Sequence, residues 1–175
     1  DETFGQAKVT PDGGFIICGE TKSNNGDISN NQGDYDVWIV KTSSLGVLEW
    51  QKTFGGSEYD SATSIEITAD GGYIFAGAAS SNNGDVVGQH GIFVSPDVWI
   101  VKLSSTGEMQ WQKTLGGTSY DVAKRIITTS DGGFIIAGTT SSNNGDVSGL
   151  HGDDQDYWII KLSPTGEIIW KNVYG

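Results

Sequence analysis

Three copies of one paired-strand pattern lie along this chain, and any fold it adopts must accommodate that repetition. DVWIVKTSSLGVLEWQKTFGG occupies residues 36–56, DVWIVKLSSTGEMQWQKTLGG residues 97–117 and DYWIIKLSPTGEIIWKNVYG residues 156–175. Each copy holds two apolar runs centred on Trp and joined by a short turn containing Gly, which reads as two neighbouring antiparallel strands. A DGG turn precedes each copy, at Asp12, Asp70 and Asp131, so the period is about 60 residues. Residues 1–175 therefore read as a single repeat domain of three whole units, 1–57, 58–118 and 119–175.

Four strands are expected in each unit. The first is typified by ATSIEIT at 62–68, where Ile65 and Ile67 alternate with Ser64, Glu66 and Thr68. Alternation of that kind turns one face inward and the other outward. The TxDGG segment that follows suits a hairpin, because Asp bonds its own following backbone and Gly accepts positive φ. FIICG, YIFAG and FIIAG form the second strand, and VWIVK or YWIIK the third. Both are apolar at successive positions, as strands buried on two faces are. Between them runs a long polar loop, SNNGD plus a variable insert, at 23–35, 81–96 and 142–155. In the fourth strand, Met109 and Trp111 alternate with Gln110 and Gln112, the mark of a half-exposed outer strand.

Two doubly buried strands flanked by amphipathic ones describe a sheet packed between two similar sheets. The expected class is all-β, of β-propeller type, with three four-stranded blades per chain. Propellers close with about 4 to 8 blades, so three call for completion. A second chain making a six-bladed ring is the favoured route, and a fragment of a longer protein the other. A trefoil or β-prism is the alternative three-fold fold.

The pattern DGG[FY]I..[AC]G, SSNNGDV, D.W[IV][VI]K, W.K..GG resembles repeat segments of large secreted or surface proteins of bacteria and archaea, many of Bacteroidetes type. The match spans nearly the whole chain. It implies a non-enzymatic propeller, an extracellular or cell-surface location and a binding or adhesion role. The TxDGG[FY]I segment, with Thr68, Asp70, Gly72 and Ile74, is also similar to the Asp-box turn of sialidase-type propellers, which in that family is a structural hairpin.

Charge narrows the partners. The formal net charge is −12, which argues against a nucleic-acid backbone as ligand. Six of the ten basic residues fall at framework positions (Lys41, Lys102, Lys161, Lys52, Lys113, Lys171), and the acids crowd the loops. No apolar run reaches the roughly 20 residues of a membrane-spanning helix, so no membrane insertion is expected. The chain starts at Asp1 rather than Met, which leaves room for a removed export signal or an upstream region. The single Cys18 aligns with Ala76 and Ala137 and reads as a small buried residue.

Several residues are candidates for ligand chemistry. Trp38, Trp99, Trp158 and Trp50, Trp111, Trp170 recur at framework positions and read as packing anchors. Tyr35 and Phe93 in the variable loops are better placed for a glycan or protein ligand. His90 and His151 align with each other and with Gln32, and are expected to cap the loop or bond a ligand. For a hard cation such as Ca²⁺, which takes 6 to 8 oxygens, the candidates are Asn25, Asp27, Asp36, Asn83, Asp85, Asp97, Asn144, Asp146 and Asp156. The competing reading of the same residues is plain turn formation. Glu2, Asp60 and Asp121 open the repeats and are expected to cap the adjacent Gly-Gly turn, the competing reading being a ring of acids at one mouth of a central channel that attracts a cation or sugar.

No acid, base or nucleophile stands apart from its counterparts in the other repeats, so the expectation is no catalytic residue and no required cofactor. The leading functional expectation is a non-catalytic extracellular module that recognises a glycan or protein surface through its variable loops. A structural, self-assembling spacer is the second, and a glycan lyase or hydrolase the third.

Overall fold

The computed structural model describes residues 2–28, 30–91, 95–152 and 154–175, and among these every regular element is a β-strand. Among the described residues no helix is long and apolar enough to cross a membrane. The first repeat supplies β1 (Glu2–Val9), β2 (Phe15–Thr21), β3 (Asp36–Thr42) and β4 (Leu48–Phe54). The second supplies β5 (Asp60–Ile67), β6 (Tyr73–Ala79), β7 (Asp97–Leu103) and β8 (Met109–Leu115). The third supplies β9 (Asp121–Thr128), β10 (Phe134–Thr140), β11 (Asp156–Leu162) and β12 (Ile168–Tyr174). Each repeat is one antiparallel four-stranded sheet in chain order.

The hairpin between the first and second strands is built as its residues dictate. Asp70 accepts from the Thr68 hydroxyl at 2.5 Å and the Gly72 amide at 3.2 Å, while Gly71 sits at φ +78°. The buried ammonium of Lys102 then donates to Asp70 at 2.9 Å, to the Leu103 carbonyl at 3.0 Å and to Gln110 at 2.9 Å. Lys41 holds Asp12 and Lys161 holds Asp131 in the same way, at 2.9 and 2.8 Å. Lys41, Lys102 and Lys161 thus fasten the third strand to the hairpin beside it. In return they hold the exposed carboxyls of Asp12 and Asp131 well below the ordinary range, with the Thr10 and Thr129 hydroxyls adding to the effect.

Each first strand also carries a register shift against the second, between Phe4 and Gln6 in β1 and between Ala62 and Ser64 in β5. A glycine lies opposite: a side chain on Gly77 would overlap the Ser61 carbonyl, and one on Gly19 or Gly138 would overlap the corresponding Thr3 or Val122 carbonyl. The bulge pulls the two backbones too close for any Cβ.

The sheets stack face on face around two apolar cores. Ile16, Cys18, Val37, Ile39 and Phe54 of the first sheet meet Tyr73, Phe75, Trp99 and Val101 of the second. On the other side of the second sheet, Ile74, Ala76, Val98 and Ile100 meet Phe134, Ile136, Trp158 and Ile160 of the third. Trp99 is 0% exposed and packs edge-on against Phe75 at 5.4 Å. Cys18 is buried, as expected, and burial pushes its thiol up to about 12.

Burial on both faces of the second and third strands holds throughout β6 and β7. In the first and third sheets it holds on one face only, since β2, β3, β10 and β11 alternate between buried and partly exposed positions. The physical reason is position: only the middle sheet has a neighbour on each side within the chain.

Candidate functional site

Polar residues singled out by sequence gather at the loop end of the stack, where the SNNGD segments of the second and third repeats meet the Gly-Gly turn of the repeat before. Asn83 accepts from the Ser57 amide at 2.8 Å and donates to the Ser57 hydroxyl at 2.9 Å. The Asp85 amide donates to the Gly55 carbonyl at 2.9 Å, and the Gly55 amide donates back to the Asp85 carboxylate at 3.2 Å. The next junction repeats the set: Asn144 bonds Thr118 twice at 2.9 Å, the Asp146 amide donates to Gly116 at 2.7 Å, and the Gly116 amide donates to the Asp146 carboxylate at 3.3 Å. Amides and carbonyls left unpaired by the turn are thereby satisfied.

A second layer lies beneath. Asp60, fully buried, accepts from the Gly56 amide at 2.8 Å, the Ser80 and Ser81 amides at 3.1 and 3.2 Å, and the Ser81 hydroxyl at 2.7 Å. Asp121 does the same for the Gly117 amide at 2.8 Å and the Ser142 hydroxyl at 2.7 Å, and also accepts from Thr140. Capping of the Gly-Gly turn, expected for the residues that open the repeats, is what Asp60 and Asp121 do. Glu2, at the equivalent place in the first repeat, accepts from the Ser23 hydroxyl at 2.5 Å instead.

The third set links loop to strand. Asp36 accepts from the Gln32 amide at 2.6 Å, and the Gln32 side chain reaches on to Asp85 of the next repeat at 2.8 Å. In the second repeat His90 takes this place. Its amide and Nδ1 lie 2.7 and 2.8 Å from Asp97, and its Nε2 lies 3.9 Å from Asp146 of the next repeat. His151 makes the same two contacts with Asp156, at 2.6 and 3.1 Å. Loop capping, one of the two expectations for these histidines, is therefore what their geometry does.

Buried carboxyls crowd this region. The second oxygens of Asp36 and Asp97 are buried without a hydrogen-bond partner among the described residues. Burial lifts Asp36 to about 6, against the Gln32 hydrogen bond and with help from the nearby charges of Asp60 and Asp85. Burial also raises Asp60 and Asp97, in part offset by their hydrogen bonds to the residues around Ser81 and to His90. Among the described residues, no group of three or more His, Cys, Asp and Glu side chains is placed to hold a metal ion. Asn83, Asp85, Asn144 and Asp146 are spread along two junctions, while Asn25 and Asp27 stand exposed at the first sheet.

The loop aromatics part ways. Tyr35 is half-buried and packs on Tyr59 at 5.6 Å, with the Lys22 ammonium 5.4 Å from its ring. Phe93 lies outside the described residues. Tyr59 and Tyr120 are exposed and line a hollow of about 360 Å³ with Ser61, Thr63 and Lys124.

Sequence reasoning missed that the SNNGD and Gly-Gly segments are partners across the junction. Their one-per-repeat recurrence was visible; their offset by one repeat was not. No protein-family model matches the chain, and no curated protein is significantly similar to it in sequence.

Proposed function

We propose that the chain is a non-catalytic, propeller-type blade module of an extracellular or surface protein, and that its work is structural. One observation carries this reading. The polar groups that looked free to bind a ligand are engaged twice over, with equivalent partners at both junctions, in fastening one sheet to the next. The loops serve as locks, and near-identical locks suit a scaffold that adds blades in register more than a unique reaction centre.

The Asn83→Ala, Asp85→Ala double variant tests it. Four side-chain hydrogen bonds are lost, two to Ser57 and one each to Gly55 and Gln32, for a cost of about 2 to 4 kcal/mol at roughly 0.5 to 1 per bond. The thermal midpoint should fall by the same amount in EDTA and in millimolar CaCl₂. A loss confined to the calcium-containing sample would move these residues back to cation binding.

The hollow between Tyr59 and Tyr120 favours a second reading, recognition of a glycan by exposed aromatic faces beside polar groups. A glycan array on which the wild type binds and Tyr59→Ala, Tyr120→Ala does not would support it. Unchanged array binding by that variant would remove it.

A further inference from the structure

Resting on the blade reading above, we propose that a second copy of this chain docks head to tail, the outer face of its first sheet covering the outer face of the third.

Both internal junctions have a direction. The face that carries Val37, Ile39 and Trp50 in the first sheet always meets the face that carries Tyr73, Phe75 and Trp99 in the next, and the second junction repeats this with Val98, Ile100 and Trp111 against Phe134, Ile136 and Trp158. The chain therefore ends in two unlike faces. The first sheet shows Phe4, 71% exposed, and Phe15, 37% exposed, beside half-buried Ile17, Trp38 and Val40. The third shows Tyr157, 70% exposed, and Trp170, 41% exposed, beside Ile159 and Tyr174. Among the described residues, every large exposed apolar side chain except Tyr59 and Val87 belongs to the two terminal repeats.

The outer-strand tryptophan defines the fit. Trp50 packs on Tyr73 with ring centroids 5.8 Å apart, and its indole roofs Gly107, where an added Cβ would lie 2.9 Å from the ring. Trp111 packs on Phe134 at 6.2 Å and roofs Gly166, with the corresponding gap 3.3 Å. The third member of the series, Trp170, has no following sheet in the chain. At the other end, Phe15 and Gly46 occupy the places of Tyr73 and Gly107, and no described residue lies within 4 Å of a Cβ built on Gly46. Trp170 of one copy and Phe15 with Gly46 of another are the two halves of the same joint.

The polar locks divide in the same sense. Gln32 reaches Asp85 and His90 approaches Asp146 across the internal junctions. His151 is the next member of that series, and Asp27, exposed on the first sheet, is the acceptor that fits it. Two copies close two such junctions at once and bring six sheets together, within the range of about 4 to 8 at which stacked blades close. A face-to-face pairing of two identical ends would set tryptophan positions against each other and leave every lock unpartnered. Because the contact is heterologous, closure requires that the rotation between sheets fit, and two chains are the closed solution proposed.

Two single variants and their mixture test the proposal. Phe15→Arg blocks one face and Tyr157→Arg the other; both sites are exposed in the single chain, and Trp170→Ser is a milder second variant. By sedimentation, the wild type should have twice the chain mass. Each variant alone should have the single-chain mass, and an equimolar mixture should regain the doubled mass through its one intact junction. A single-chain wild type, a variant that remains doubled, a mixture that fails to pair or an open-ended polymer overturns the proposal. Far-UV circular dichroism separates the two levels: folded variants that do not associate concern the pairing, whereas a folded wild type without strand signal would sink the blade reading beneath it.

Discussion

The pH dependence of stability is the sharpest test of how the junctions are built, and Asp36 is the place to apply it. Its carboxyl is fully buried, one oxygen accepts from the Gln32 amide at 2.6 Å and the other has no partner among the described residues. Burial lifts its folded pKa to about 6 from 3.8. Between those values the folded chain holds the proton more tightly than the unfolded chain. Stability from this group is thus fully present below about 4 and is lost as pH rises through about 6. The gap corresponds to at most about 3 kcal/mol, and water near the exposed loops trims that to about 2.

Asp36→Asn keeps an acceptor for Gln32 and removes the ionisation. It should match the wild type near pH 4 and exceed it by about 2 kcal/mol at pH 7.5. Urea unfolding midpoints at a series of pH values between these limits read the difference directly. Parallel curves for the two proteins, or a variant less stable at every pH, would refute the reasoning. Burial raises Asp97 in the same direction, so the wild-type slope should not vanish entirely in the variant. Asp70 works oppositely: the Thr68 hydroxyl and the Lys102 ammonium outweigh its modest burial and hold it at about 2. Its contribution is present above the ordinary carboxylate range and fails as pH falls through about 2. Together these groups place maximum stability on the acid side of neutrality, near about pH 4 to 5.

Other substitutions probe the backbone and the stack. Gly77→Ala puts a methyl group into the Ser61 carbonyl and should cost about 3 kcal/mol or more, read as a lowered urea midpoint; a cost under about 1 would mean the bulge can relax. Trp111→Ala empties the roof over Gly166 and the contact with Phe134, for about 2 to 3 kcal/mol given its partial burial. Trp170→Ala should cost under about 1 kcal/mol when measured at dilutions that keep the chain single. Equal losses at the two tryptophans under those conditions would contradict the open-ended stack.

Much of the architecture was legible because it was written three times. The DGG hairpins, the paired apolar runs and the half-exposed fourth strand follow from local chemistry that each repeat restates, and all three sheets have that strand order. The partnerships between repeats were less legible. Lys102 and Asp70 stand in different strands of one sheet, and Asn83 and Ser57 in different sheets. Recurrence marks such residues as framework without saying which partner each has. Loop composition was the least specific signal: Asn and Asp at short spacing suit a ligand or a turn alike, and at the two junctions the side chains of Asn83, Asp85, Asn144 and Asp146 accept from backbone amides.

The direction of stacking is the point at which register does what residue type cannot. Positions that alternate along β2 and β3 are apolar on both faces, so hydrophobicity does not say which face meets which. The hairpin pairing does. Trp38 lies opposite Thr53 and Trp50 opposite Lys41, and cross-strand partners share a face. The two tryptophans of a repeat must therefore point to opposite sides of its sheet. A unit built this way has a different aromatic on each face, and a stack of such units can propagate only in one sense. Three of them leave one socket and one plug, so the unlike ends of this chain follow from a four-residue turn and the parity of the strands it joins.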